Sequence, residues 1–164
     1  MIVVSNTTPL IGLASIDRFD LLRQLFGEIQ IAQAVYGEAV TAGREVGGAK
    51  EEVSTATWIR TTVVQDRLAV EVLLDELDLG EAETIVLARE VNADLVLMDE
   101  KKGRRKVSQL GLQKIGTLGI LLKAKQVGLL HCLLNHLVFR VGASACRCPW
   151  ATARVRPYHE HRKI

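Results

Sequence analysis

A chain of 164 residues with a net charge of +2 is about the size of one domain, and its charge is too small to attract nucleic acid through a global field. Hydrophobic residues make up 48% of the chain and aromatic residues 4%, which favours a globular protein with an aliphatic core. No run approaches the ~18 apolar residues of a membrane span, and the N-terminus lacks the plan of a secretion signal. We therefore expect a cytoplasmic protein that does not enter a membrane.

The first half of the chain alternates β-branched runs with helical patterns. In order, it predicts a strand over 1–5, a helix after Pro9, a helix over 18–26, a strand over 29–32, a helix over 33–40, a loop with one or two helical turns over 41–57, and a strand over 58–64. Proline is tolerated in the first turn of a helix. We expect Asp17 to cap the second helix at its start and Gly27 to end it.

The second half continues this alternation. In order, it predicts helices over 65–76 and 82–91, a strand over 95–98, a helix over 100–110, a strand over 112–115 and a helix over 117–127. Asp78 and Glu81 have the spacing of a capping box at the start of the second of these helices. Alternating strands and helices predict a parallel sheet of four or five strands with helices on both faces, formed by residues 1–130.

The character of the sequence changes over residues 131–164. This stretch holds all three cysteines and all four histidines and has no sustained period after about residue 141. An odd number of cysteines on one side of the chain is not a disulfide framework. The pairs Cys146-x-Cys148 and His159-x-His161 do not have the spacing of common zinc fingers. We interpret the stretch as an atypical C-terminal tail, partly helical at its start and otherwise irregular.

Four polar side chains are expected at the carboxyl edge of the predicted sheet. Asn6 follows the first strand, Glu38 lies in the helix after the second strand, Glu81 opens a helix, and Asp99 follows a later strand. Ligands of open α/β sheets collect at this edge. Oxygen ligands suit Mg²⁺ or Mn²⁺, and such an ion activates water for the hydrolysis of a phosphodiester. The four residues are therefore candidate metal ligands and catalytic residues.

Each candidate also has a purely structural interpretation. Glu81 can serve only in the capping box, Glu38 can be an exposed helix acid, and Asn6 can be a turn residue. Asp99 can be a turn residue before a solvated helix. Taken singly these interpretations are favoured, but four polar groups at matching ends of one sheet favour a functional site.

Positive charge follows Asp99 at once. Five of the six residues 101–106 are basic, namely Lys101, Lys102, Arg104, Arg105 and Lys106. Such a cluster can contact the phosphates of a nucleic acid, and contacts of this kind carry no sequence information. The alternative is a solvated helix face.

Five segments in order resemble the PIN-domain family. They are Ile2-Val-Val-Ser-Asn-Thr-Thr-Pro-Leu-Ile11, Val35-Tyr-Gly-Glu38, Leu79-Gly-Glu-Ala-Glu-Thr-Ile85, Leu97-Met-Asp-Glu-Lys-Lys-Gly-Arg-Arg105 and Gly116-Thr-Leu-Gly-Ile-Leu-Leu-Lys-Ala-Lys125. More narrowly, the chain is similar to a prokaryotic branch of nucleic-acid-binding proteins related to VapC-type toxins. The resemblance implies a three-layer α/β/α sandwich and a Mg²⁺- or Mn²⁺-dependent endoribonuclease, the toxin of a toxin–antitoxin pair. It also implies RNA as substrate, an antitoxin as partner and a homodimer, and it assigns the acids of the site to Asn6, Glu38, Glu81 and Asp99.

The chain departs from the family pattern at Asn6, where an aspartate is most common. An amide oxygen can coordinate a cation but brings no charge, so metal affinity should be lower, and a hydroxyl of Ser5 or Thr7 can assist. The alternative function is therefore a catalytically weak or inactive relative that binds nucleic acid or a partner protein. A third interpretation, a phosphate-accepting receiver domain, needs a pair of acids after the first strand, and Ser5-Asn6 supplies none.

Overall fold

The structure is a computed structural model that describes residues 1–42 and 49–130. The chain groups into two units, Met1–Leu133 and Leu134–Ile164, and the described residues all belong to the first. The predicted tail over 131–164 and part of the predicted loop over 41–57 lie outside the described residues. Among the helices that are described, none has the length and apolar character needed to cross a bilayer.

Five parallel strands form one sheet in the order β3-β2-β1-β4-β5. They are β1 (Val3–Ser5), β2 (Ile29–Ala32), β3 (Ile59–Thr62), β4 (Leu95–Leu97) and β5 (Lys114–Ile115). All three residues of β1 are buried, as expected of a central strand that is covered on both faces. The predicted parallel sheet is confirmed, with five strands in the described residues.

Eight described helices flank the sheet. They are α1 (Thr7–Ser15), α2 (Asp20–Phe26), α3 (Gln33–Ala42), α4 (Lys50–Thr55), α5 (Arg67–Leu73), α6 (Leu79–Glu90), α7 (Lys101–Gln109) and α8 (Thr117–Gln126). Helix α6 packs on β1, β2 and β4 and contacts α3, α5 and α7, whereas α2 packs on β2 and contacts α8. The predicted three-layer α/β/α fold is confirmed. Its core is aliphatic, and Leu10, Leu22, Ile31, Ile85 and Leu97 are among its fully buried side chains.

The prediction that Asp17 caps the second helix is wrong. Asp17 has a φ of 56°, in the left-handed region, and its N–H donates to the Ala14 carbonyl over 3.0 Å. The Arg18 N–H donates to the Leu13 carbonyl over 2.9 Å, which completes a Schellman motif. Asp17 therefore ends α1, and α2 starts later, at Asp20, without a side-chain cap.

The strand order identifies where a ligand is expected. The chain runs outward from β1 to β2 and β3 on one side, and β4 and β5 lie on the other side of β1. The order therefore reverses between β1 and β4, and a crevice opens beyond the carboxyl ends of strands at such a switch point. Asn6 follows β1 and Asp99 lies just beyond the end of β4, so both flank this crevice.

Candidate active site at the carboxyl edge of the sheet

Asn6 and Asp99 lie on neighbouring strands at the switch point. Ser5 pairs in register with Leu97, and the Asn6 N–H donates to the Leu97 carbonyl over 2.9 Å. The Asn6 side chain is buried, and its Oδ1 has no hydrogen-bond partner in the described part of the chain. Buried polar atoms are almost always hydrogen-bonded, so an unpaired oxygen at this position needs an explanation.

Glu38 reaches the same edge from α3. Its Oε2 accepts a hydrogen bond of 2.5 Å from the hydroxyl of Thr7, the neighbour of Asn6. Its carboxyl also lies against the first turn of α6, because a Cβ at Gly80 would be 2.5 Å from both carboxyl oxygens. Glu38 therefore lies between the end of β1 and the residue that precedes Glu81.

Glu81 opens α6 and is buried with 4% of its surface exposed. The predicted capping box is confirmed: the Glu81 N–H donates to Asp78 Oδ1 over 2.7 Å, and the Asp78 N–H donates to Glu81 Oε2 over a long 3.4 Å. Glu81 Oε1 has no hydrogen bond of standard geometry among the described residues. The capping role therefore uses only one of the two carboxyl oxygens.

The environment of Glu81 disfavours its charged form. Burial raises the pKa of its carboxyl, and the negative charges of Asp78 and Glu100 raise this pKa further, while the backbone amides of Asp78 and Gly103 partly offset the shift. A divalent cation beside the unpaired oxygen would have the opposite effect, because it stabilises the carboxylate. The carboxyl is therefore suited to binding a cation.

Asp99 is fixed by the start of α8. Its Oδ1 accepts from the Thr117 N–H over 2.9 Å, and its Oδ2 accepts from the Thr117 hydroxyl over 2.5 Å. A Cβ at Gly116 would overlap Asp99 Oδ1 and lie 3.0 Å from Nη1 of Arg104, which donates to the Met98 carbonyl over 2.8 Å. These bonds set the direction of the carboxyl, and each oxygen keeps a lone pair for a second partner.

The four candidates lie along one edge but do not form a closed cage. Within residues 1–42 and 49–130, no three side chains of Asp, Glu, His or Cys are arranged to hold a metal ion. Mg²⁺ retains several waters and is usually held by one or two carboxylates together with substrate phosphates. Two buried unpaired oxygens, Asn6 Oδ1 and Glu81 Oε1, fit such an open site.

Glu83, two residues further along α6, has a different role. It is buried, its Oε2 accepts from the Ala34 N–H over 3.0 Å, and its Oε1 forms an ion pair of 2.7 Å with Nη1 of Arg67. Ala34 lies in the first turn of α3, where free N–H groups and the helix dipole favour a carboxylate. Glu83 therefore joins α3, which carries Glu38, to α6, which carries Glu81.

The five predicted phosphate-binding side chains of α7 fall into two groups. Arg104 is half-buried and donates to the Met98 carbonyl, and Lys106 forms an ion pair of 3.8 Å with Glu76. The exposed members are Lys101, Lys102 and Arg105. Only these three present their charge to solvent without an acidic partner in the described residues.

Sequence reasoning missed the glycines that support the acids. Gly80 and Gly116 leave room for the carboxyls of Glu38 and Asp99 respectively, because a Cβ at each would come within 3 Å of the carboxyl. A Cβ at Gly103 would come within 3 Å of both the Met98 sulfur and the Glu81 carboxyl. Two of these glycines, Gly80 and Gly103, lie in the first turn of a helix, where glycine is less favourable than alanine. An isolated glycine in a helical pattern indicates that another group approaches the backbone closely, and this signal can be read from the sequence alone.

A family model described as DUF3368, a PIN domain, matches residues 2–154. The chain belongs to the PIN-domain family. The predicted resemblance to the PIN-domain family is therefore confirmed, and PIN domains are generally nucleases.

The solved PilT N-terminus domain protein SSO1118 of the hyperthermophilic archaeon Sulfolobus solfataricus P2 has a similar fold, with a TM-score of 0.53. The match covers 76% of this PIN-domain chain and 93% of that chain, at 17% sequence identity. At this identity the likeness shows the fold alone. No curated protein matches the chain.

Proposed function

We propose that this PIN-domain protein is a Mg²⁺- or Mn²⁺-dependent endoribonuclease that hydrolyses RNA phosphodiesters. The observation that carries the proposal is the pair of buried, unpaired oxygens, Asn6 Oδ1 and Glu81 Oε1, at the carboxyl edge where the strand order reverses. Neither atom accepts a hydrogen bond of standard geometry in the described residues, and a bound cation would satisfy both oxygens.

Asn6, Glu38, Glu81 and Asp99 would hold the ion, directly or through water. When bound, a divalent ion supplies nucleophilic water at neutral pH and stabilises negative charge on the phosphoryl oxygens. Thr7 orients Glu38 and Thr117 orients Asp99 through hydrogen bonds of 2.5 Å. These bonds are short and charge-assisted, so both carboxyls are held in place before substrate binds.

The basic side chains of α7 would hold the RNA backbone. Lys101, Lys102 and Arg105 are exposed in the helix that follows Asp99. Lys106 would contribute through its positive charge, since its ammonium already pairs with Glu76. Arg104 uses one nitrogen to donate to the Met98 carbonyl and keeps other N–H donors. The phosphate backbone dominates the affinity of such surfaces and makes it depend on salt.

The biological setting rests on the family resemblance. It supports a role as the toxin of a toxin–antitoxin pair, an antitoxin as protein partner, a homodimer and a cytoplasmic location. The preference for RNA over DNA also comes from the resemblance, because contacts between lysine or arginine and phosphate do not distinguish the two.

Cleavage of single-stranded RNA in the presence and absence of Mg²⁺ or Mn²⁺ tests the proposal. Asp99→Asn should abolish metal-dependent cleavage while leaving the fold intact, because an asparagine Oδ1 still accepts from the Thr117 N–H. The matched control is Asp94→Asn at the opposite end of β4, where the exposed Asp94 accepts from the Ile2 N–H over 2.6 Å. Unchanged cleavage by Asp99→Asn, or equal loss in both variants, would contradict the assignment.

The second candidate function is a PIN-like protein that binds RNA or a partner without cleaving it. Asn6 favours it, because an amide in place of a carboxylate removes one negative charge from the site. This candidate predicts RNA binding that weakens with salt and no metal-dependent product. The same assay therefore separates the two.

A further inference from the structure

A polar groove runs beside the strand β5, which pairs only with β4 in the described sheet. The groove has a volume of about 400 Å³ and opens to solvent between α7 and the segment that leads into β5. We call it the edge groove, and its lining residues are Arg104, Ser108, Gly111, Leu112, Gln113 and Lys114. None of them belongs to the four candidate metal ligands.

The edge groove carries positive charge and no acid. Arg104 and Lys114 both line it, and none of its lining residues is Asp or Glu. The Lys114 ammonium contacts Ser108 Oγ, and Ser108 and Gln113 add neutral groups that can bond to phosphate oxygens. Two cations on one groove repel each other, and an anion between them relieves this repulsion.

Arg104 connects the edge groove to the acidic edge. Its Nη1 donates to the Met98 carbonyl over 2.8 Å, so the guanidinium is fixed one residue away from Asp99 along the chain. No ion pair joins Arg104 to a carboxylate in the described residues. Its remaining N–H groups are therefore available to an anion that enters the groove.

The sheet register gives the distance between the two places. Lys114 pairs with Val96, three residues before Asp99, and three residues of chain span at most about 10 Å. A nucleic-acid strand with one phosphodiester at Asp99 and its flanking nucleotides beside β5 would therefore bring another phosphate near Lys114.

We propose that the edge groove is a phosphate subsite that holds the nucleic-acid backbone on one side of the bond to be cleaved. Lys114 binds the phosphate, and Arg104 presents fixed donors between this phosphate and the acidic edge. The inference rests on the proposed function, because that function places the bond to be cleaved at Asp99 and so sets where the rest of the nucleic-acid strand runs. The subsite reads the backbone and gives affinity without sequence preference.

Binding of a short fluorescent single-stranded RNA to the full chain, measured by anisotropy in EDTA so that no cleavage occurs, tests the subsite. At ~0.1 M salt, one phosphate contact to a single strand contributes about fivefold to affinity, since the salt slope is ~0.7 per contact. Lys114→Gln should therefore weaken binding about fivefold and lower the salt slope by ~0.7. Gln113→Glu, which adds a negative charge while keeping both cations, should also weaken binding.

Lys125→Gln is the matched control, because it removes the same charge from an exposed position on α8 outside the edge groove. It should bind RNA like the wild type. Equal effects of Lys114→Gln and Lys125→Gln, or no RNA binding by the wild type, would overturn the subsite. Binding that depends on Lys114 without any metal-dependent cleavage would instead leave the subsite standing and refute the nuclease.

Discussion

Gly80→Ala should weaken metal binding without unfolding the protein. The new Cβ would lie 2.5 Å from both Glu38 oxygens, whereas ordinary contacts are 3.4–4 Å, so the carboxyl must move by about 1 Å. The carboxyl ends a flexible side chain, so this movement costs the fold little, but it displaces Glu38 from the Thr7 hydroxyl. Alanine also gains up to about 1 kcal/mol of helix propensity. We therefore expect the metal-free variant to be as stable as the wild type or slightly more stable.

The weaker metal binding of Gly80→Ala should appear as a smaller increase in the free energy of unfolding when Mn²⁺ is added. An ion present at a hundred times its dissociation constant raises the free energy of unfolding by about 2.7 kcal/mol, and a tenfold weaker site at the same concentration gives about 1.4 kcal/mol. Denaturant unfolding with and without Mn²⁺ measures both values. Gly37→Ala is the matched control, because Gly37 also lies in a helix and a Cβ there has no atom within 4 Å.

Gly37→Ala should keep the full Mn²⁺ effect and gain about 0.5–1 kcal/mol of stability from its helix. If Gly80→Ala keeps the full Mn²⁺ effect as well, Glu38 does not hold the ion, and the argument from the close approach of Gly80 fails. If both variants lose it equally, the loss reflects helix stability and not the site.

Three further substitutions test separate parts of the site. Glu81→Gln still fits a capping box and should raise the free energy of unfolding of the metal-free protein by about 1 kcal/mol, because it removes a carboxylate whose charge is disfavoured by burial and by the charges of Asp78 and Glu100. Burial raises the folded-state pKa of Glu81. In urea unfolding of the metal-free wild type, the free energy of unfolding should therefore fall as pH rises from the ordinary carboxyl range through this pKa. The fall should be smaller in Glu81→Gln. Asn6→Asp should bind Mn²⁺ more tightly in calorimetry and be less stable without it; equal affinity would show that Asn6 lies away from the ion. Glu83→Ala should cost about 1–3 kcal/mol in urea unfolding, because the Ala34 N–H loses its acceptor, and an unchanged midpoint would contradict this role.

The sequence predicted the sheet because its strands are short β-branched runs separated by helical periods. Its pattern predicted the alternation of strands and helices, and the spacing of Asp78 and Glu81 predicted the capping box. The start of α2 was missed because Asp17 suits two roles, N-cap and left-handed C-terminal residue. The hydrogen bond from the Asp17 N–H to the Ala14 carbonyl distinguishes these two roles, and this bond depends on the path of the chain.

The positions of the candidate residues along the sheet follow from strand order, but their contacts do not. Nothing in the sequence states that Glu38 lies against Gly80 or that Thr117 holds Asp99, because these pairs are 42 and 18 residues apart and meet only through packing of the helices. Glu83 illustrates the same limit. It is two residues from Glu81 on one helix, yet it pairs with Arg67 and Ala34, whereas Glu81 turns an unpaired oxygen toward Gly103.

A calorimetric titration of Mn²⁺ into the full chain tests the central claim most directly. The claim is that Asn6, Glu38, Glu81 and Asp99 surround one divalent ion. It predicts saturable binding at a single site in the wild type, weaker binding in Glu81→Gln, and wild-type binding in Asp94→Asn. An absence of binding heat in the wild type, or equal binding in all three proteins, would contradict it.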